Sequence, residues 1–127
     1  RADLAFEQVL RAPIAGMTHA ERAFLACSAF ARHTSALPFP DAELIARILS
    51  PERLQRARAV GAAIRLGCDL SGRSAHLLGR SQLRIRGDRV LLHADQAGAD
   101  LLLGDQTAKR AASLATVLGM GLKIEAG

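Results

Sequence analysis

The hydrophobic period of the chain first changes near residue 80, and that change fixes the class of fold. Up to about residue 79 apolar residues recur every three or four positions, and from Ser81 they recur every second one. Ser81-Gln82-Leu83-Arg84-Ile85-Arg86 alternates polar with apolar, Gly87-Asp88 supplies a turn, and Arg89-Val90-Leu91-Leu92-His93 returns. Helices followed by a hairpin are the expected order. Asp105 to Leu118 then resumes a helical period, with Ala108, Ala111, Leu114, Ala115 and Leu118 inward and Gly119 as the stop. Leu122-Lys123-Ile124-Glu125 reads as a final strand, so a three-stranded sheet with a helix across one face is expected. The fold class is thus mainly α, then a small α+β unit, divided as 1–79 and 80–127.

Within the helical part, residues 3–11 form an amphipathic helix with Leu4, Phe6, Val9 and Leu10 inward, ended by Ala12-Pro13 and Gly16. Thr18-His19-Ala20-Glu21 is a capping box, in which the hydroxyl and the carboxylate each satisfy an otherwise orphaned backbone N–H. The helix after it runs to about His33, with Phe24, Cys27, Phe30 and Ala31 toward a core. Pro38 and Pro40 forbid helix in the loop that follows, and Asp41 is expected to cap a short helix through Leu49. Ser50-Pro51 starts the longest helix, a Ser cap with Pro at the first helical position. It is expected to end near Leu70, at the polar break Ser71-Gly72-Arg73-Ser74. Leu54, Ala57, Gly61, Ile64 and Cys68 make its inward stripe, and Ala57 and Gly61 permit a close helix neighbour. Asp95 to Leu103 is apolar-rich and reads as a short helix.

Only four residues are aromatic, all Phe, so the core must be built from Ala, Leu, Ile and Val. Cys27 and Cys68 stand far apart, outside any CxxC or Cys/His cluster, and both are expected to be buried thiols. The chain opens at Arg1 without a basic-then-apolar leader, and no apolar run approaches the roughly 20 residues of a membrane span. The expectation is a soluble, cytoplasmic piece of a longer protein.

The four histidines form no HxH, HExxH or HD pair, no GxSxG occurs, and the glycines do not form a phosphate loop. No catalytic apparatus and no metal or cofactor site is expected in this chain itself. Charge is the remaining signal. Seventeen basic against twelve acidic residues leave a net +5, and all but Lys109 and Lys123 of the basic ones are arginine. Arginine's planar fork suits phosphate oxygens, although a solvated basic face has the same composition. Without Tyr or Trp, stacking platforms for nucleic-acid bases are poor, which favours a phosphate chain or a protein over bases. Arg73 and Arg80, around the end of the longest helix, are candidates by charge and place, whereas Arg84 on the strand is expected to matter little.

The segments "THAERAFLACSAFARH", "SPERLQRARAVGAAIRLGCDLSGRS", "LRIRGDRVLLH" and "GMGLKIEAG" stand in an order that resembles the C-terminal part of the exopolyphosphatase/guanosine pentaphosphate phosphohydrolase family. The resemblance covers nearly the whole chain. It implies an HD-domain-like helical unit, truncated at its N-terminus, and a small C-terminal α+β domain. The parent would be a hydrolase of phosphoanhydride bonds, with its Mg²⁺ and glutamate base in two upstream actin-like domains. The C-terminal part would help to bind long polyphosphate in a basic channel and contribute to a homodimer. By position in the family's motifs, Arg32, His33 and Arg65 would touch polyphosphate, with Arg32 standing where the family has an aromatic residue. The competing expectation is a stand-alone basic adaptor that binds nucleic acid or protein.

Overall fold

Two of the helices start on a side chain that satisfies an unpaired backbone N–H. A computed structural model describes residues 1–73, 78–95 and 104–127, with only the backbone described at Gly72 and Arg73. Helix α1 covers Ala2–Arg11 and α2 covers His19–His33. At Thr18 the full capping box forms: the Glu21 N–H donates to Thr18 Oγ1 at 3.1 Å, and the Thr18 N–H donates to Glu21 Oε1 at 3.0 Å. The Thr18 N–H first, and the Thr18 hydroxyl second, favour the charged carboxylate and hold the Glu21 carboxyl below its usual range. Helix α3, Ala42–Ile48, starts differently from expectation. Asp41 lies in the left-handed region at φ 51° and its side chain makes no capping bond. Helix α4, Pro51–Arg73, does begin on its Ser: the Arg53 N–H donates to Ser50 Oγ at 3.2 Å. It continues through Ser71-Gly72-Arg73, so the polar residues expected to break it are its last turn.

Strands β1, Ser81–Arg86, and β2, Arg89–Ala94, pair antiparallel from Ser81↔Ala94 to Arg86↔Arg89 around the Gly87-Asp88 turn. Gly87 sits at φ +61°, the conformation that a two-residue hairpin asks of its first turn residue. Helix α5, Asp105–Val117, is closed by a glycine motif: Gly119 at φ +68° donates to the Thr116 carbonyl, and Met120 to that of Ala115. The Gly121 N–H then donates to Asp88 O at 2.9 Å, pinning the start of β3, Gly121–Ala126, beside the hairpin turn. β3 runs parallel to β2, and the sheet order is β1-β2-β3. The expected class, helices then a hairpin, a helix and a closing strand, is what forms. The short helix expected over Asp95 to Leu103 lies outside the described residues beyond Asp95.

By compactness the chain divides into Arg1–Ala62 and Ala63–Gly127, inside α4, whereas the period change at 79/80 marks where helix gives way to strand. In the first unit, Phe6, Ala23, Ala26, Cys27, Phe30, Phe39, Ile45, Leu49 and Ala57 form the core. Phe30 and Phe39 meet edge to face with centroids 5.7 Å apart. Alanine-rich faces let α2 and α4 close tightly: a Cβ added at Gly61 would lie 2.7 Å from the Arg32 backbone nitrogen. In the second unit Leu66, Leu70, Val90, Leu92, Ala94, Ala111, Leu114, Ala115 and Val117 are buried.

Several inward assignments are corrected. Leu4 is exposed, since Phe6 alone of α1 is fully buried. Ile64 and Cys68 are exposed as well, and Leu66 and Leu70 are buried in their place. The step from Gly61 to Leu66 is five residues, about 140° around a helix, so the buried face of α4 changes at the unit division.

Candidate anion-binding site

The alternation in β1 sorts its side chains onto two sides of the sheet. Leu83 and Ile85 share a side with Val90 and Leu92 of β2 and Leu122 and Ile124 of β3, by direct register. α5 packs on that side, which explains the burial of Val90 and Leu92. The other side carries Gln82, Arg84 and Arg86 from β1, Arg89, Leu91 and His93 from β2, and Lys123 and Glu125 from β3. These eight line one shallow concavity of about 400 Å³.

Register sets the rows. Arg86 faces Arg89, Arg84 faces Leu91 and then Lys123, and Gln82 faces His93 and then Glu125. Four cations therefore meet a single carboxylate. Glu125 stands 3.8 Å from Lys123 Nζ and 3.4 Å from His93 Nδ1, at the opposite end of the face from Arg86 and Arg89. Such half-exposed ion pairs contribute little, so Glu125 holds Lys123 only weakly. Leu91 is the one large apolar side chain among the lining residues, and the His93 imidazole is their one aromatic ring. The face can supply forked hydrogen bonds and positive potential to an anion, and it has no Phe, Tyr or Trp ring for bases to stack on.

Of the five residues expected to contact phosphate, Arg65 and Arg80 belong to the sheet's unit but are not among the residues that line this concavity. Arg32 and His33 occupy the last turn of α2, where cations complement the negative end of the helix dipole. Carbonyl ends there oppose a bound anion. Arg65 is half-buried in α4. Burial first, and the like charge of Arg110 in α5 second, lower its guanidinium from the usual value. Arg65 is thus within electrostatic reach of Arg110 and is not among the residues that line the concavity. Arg73 is the last residue of α4, and its side chain is outside the described residues. Arg80 closes the open end of the hairpin: its carbonyl accepts from the Asp95 N–H at 3.2 Å, and its Nε lies 3.8 Å from Asp95 Oδ2.

Asp69, the acid in the same helix end, has a structural task. The fully buried Thr107 hydroxyl donates to Asp69 Oδ2 at 2.8 Å, which satisfies an otherwise costly polar group. Reading the sequence for positions around one helix end missed Arg89 and Lys123. They belong to different strands, and only the parallel β2–β3 register brings Lys123 into the row of Arg84, with Leu91 between them. The signal present was period two: Arg84, Arg86 and Lys123 all occupy polar positions of alternating strands.

Among the described residues no three of His, Cys, Asp and Glu are grouped to hold a metal ion, and no helix is long and apolar enough to cross a membrane. Comparison with protein-family models and with curated proteins finds no match.

Proposed function

We propose that the chain is a polyanion-binding accessory region whose ligand is linear polyphosphate, working for a cytoplasmic enzyme of the exopolyphosphatase/guanosine pentaphosphate phosphohydrolase type. The observation that carries the reading is the cationic sheet face: Arg84, Arg86, Arg89 and Lys123 exposed on three adjacent strands, with no Phe, Tyr or Trp among the lining residues. A flexible phosphate chain needs spaced cations and no base pockets. Successive same-side positions on a strand are about 6.7 Å apart and strands about 4.8 Å, so several phosphates can be engaged at once. The ordered resemblance along the sequence supplies the choice of polyphosphate and the parent enzyme. In that reading hydrolysis, its Mg²⁺ and its glutamate base belong to upstream actin-like domains, and this region adds affinity by tethering the chain and contributing to a homodimer.

Arg32, His33, Arg65, Arg73 and Arg80 remain candidates on the family pattern and on charge, and a titration separates the two sets. With long-chain polyphosphate at low salt, Arg84→Gln with Arg86→Gln weakens binding about tenfold, as two exposed charge contacts imply. Arg32→Gln with Arg65→Gln changes it less than about threefold, and moderate salt weakens all forms steeply. A larger loss from the helix pair than from the strand pair would move the site off the sheet. Absence of binding at low salt would overturn the reading. Tighter binding of a single-stranded nucleic acid of equal charge would favour the adaptor instead.

A further inference from the structure

β1 is open along its edge and carries different chemistry on its two sides. It is an outer strand, paired only with β2 among the described residues, and five of its six residues are exposed. On the helical side of the sheet α5 covers β2 and β3 but leaves Leu83 and Ile85 47% and 60% exposed. On the other side the same strand presents Arg84 and Arg86.

We propose that β1 is a docking edge for a short extended segment of a protein partner in which acidic and apolar residues alternate. An added strand lies about 4.8 Å away and sets each of its side chains against a neighbour on the same side of the sheet. Its apolar side chains cover Leu83 and Ile85, and its carboxylates meet Arg84 and Arg86. Charge complementarity selects this occupant over a second copy of the chain. Antiparallel self-pairing of β1 brings arginine against arginine, the arrangement by which edge strands resist pairing with themselves. Six residues of strand span about 20 Å, so a segment of about six residues suffices. The docked strand does not depend on polyphosphate binding, although both use Arg84 and Arg86.

The test uses the full chain and a fluorescent peptide of about eight residues alternating Asp and Val, followed by anisotropy at low salt without polyphosphate. Its companions are a Lys and Val alternation, an isomer with the Asp residues in one block, and two versions N-methylated on alternate amides. The acidic alternation should bind about tenfold more tightly than the block isomer, and the Lys peptide should not bind. In a strand only every second N–H faces the neighbour, so one N-methylated set should abolish binding and the other should leave it nearly intact. Arg84→Glu with Arg86→Glu, checked for a native circular dichroism spectrum, should transfer the preference to the Lys peptide. Equal binding of the block isomer, or equal effects of the two N-methylated sets, would reduce the contact to charge alone and overturn the proposal. No binding of the acidic alternation to the unaltered chain would overturn it too, whatever the variants do.

Discussion

Cys27 and Cys68 look alike in the sequence, each on an apolar stretch of a helix, and the structure separates them. Cys27 is fully buried among Phe6, Ala23, Ala26 and Phe30, and that burial pushes its thiol up to about 11. Cys68 is exposed, and neither cysteine forms a disulfide. The thiolate is the reacting form, so protection of Cys27 is both steric and electrostatic. At pH 8, native protein should label quickly at one thiol, and the second should react only on denaturation. Mass mapping should place the fast label on Cys68. Two slow thiols would restore the stripe first expected for α4. The local chemistry of caps was readable because a Thr, a Ser or a Gly satisfies or frees the backbone within a few residues of itself. Asp41 is the exception, its cap role displaced by a left-handed backbone.

Helix α4 shows what an element demands beyond local pattern. Its start, its length within a few residues and its close-packing residue Gly61 could be read from the sequence. The change in its buried face could not, because it follows from serving two separate cores and leaves no break in the helical period. Its two glycines make opposite predictions. At Gly61 an added methyl meets the backbone of Ala31 and Arg32 at 2.6 and 2.7 Å, a collision that neither helix can relieve by a rotamer change. Gly61→Ala should destabilise by about 1–3 kcal/mol. At Gly67 nothing lies within 4 Å. Gly67→Ala should stabilise by about 0.5–1 kcal/mol, through helix propensity alone. Urea unfolding of the two variants checks both signs, and a stabilised Gly61→Ala would mean that α2 and α4 do not approach so closely.

At the scale of the whole molecule the excess of positive charge is spread along the sequence but unevenly placed in space. Arg32 and His33 complement a helix end, Arg65 faces another arginine, Arg80 faces Asp95, and four cations share one open sheet face. The sheet itself was foreseeable from period two and turn chemistry. Its cationic face was foreseeable only in part, since Arg84 and Arg86 declare a side of β1, while the contribution of Arg89 and Lys123 depends on non-local register. The proposed polyanion site is this face, and not the end of α4. Backbone amide spectra of the labelled chain, recorded while polyphosphate is added at low salt, test it most directly. The largest shifts should fall on residues 82–93 and 121–125, with Arg32, His33 and Arg65 little moved. Shifts concentrated on α2 and α4, with the three strands unaffected, would contradict it.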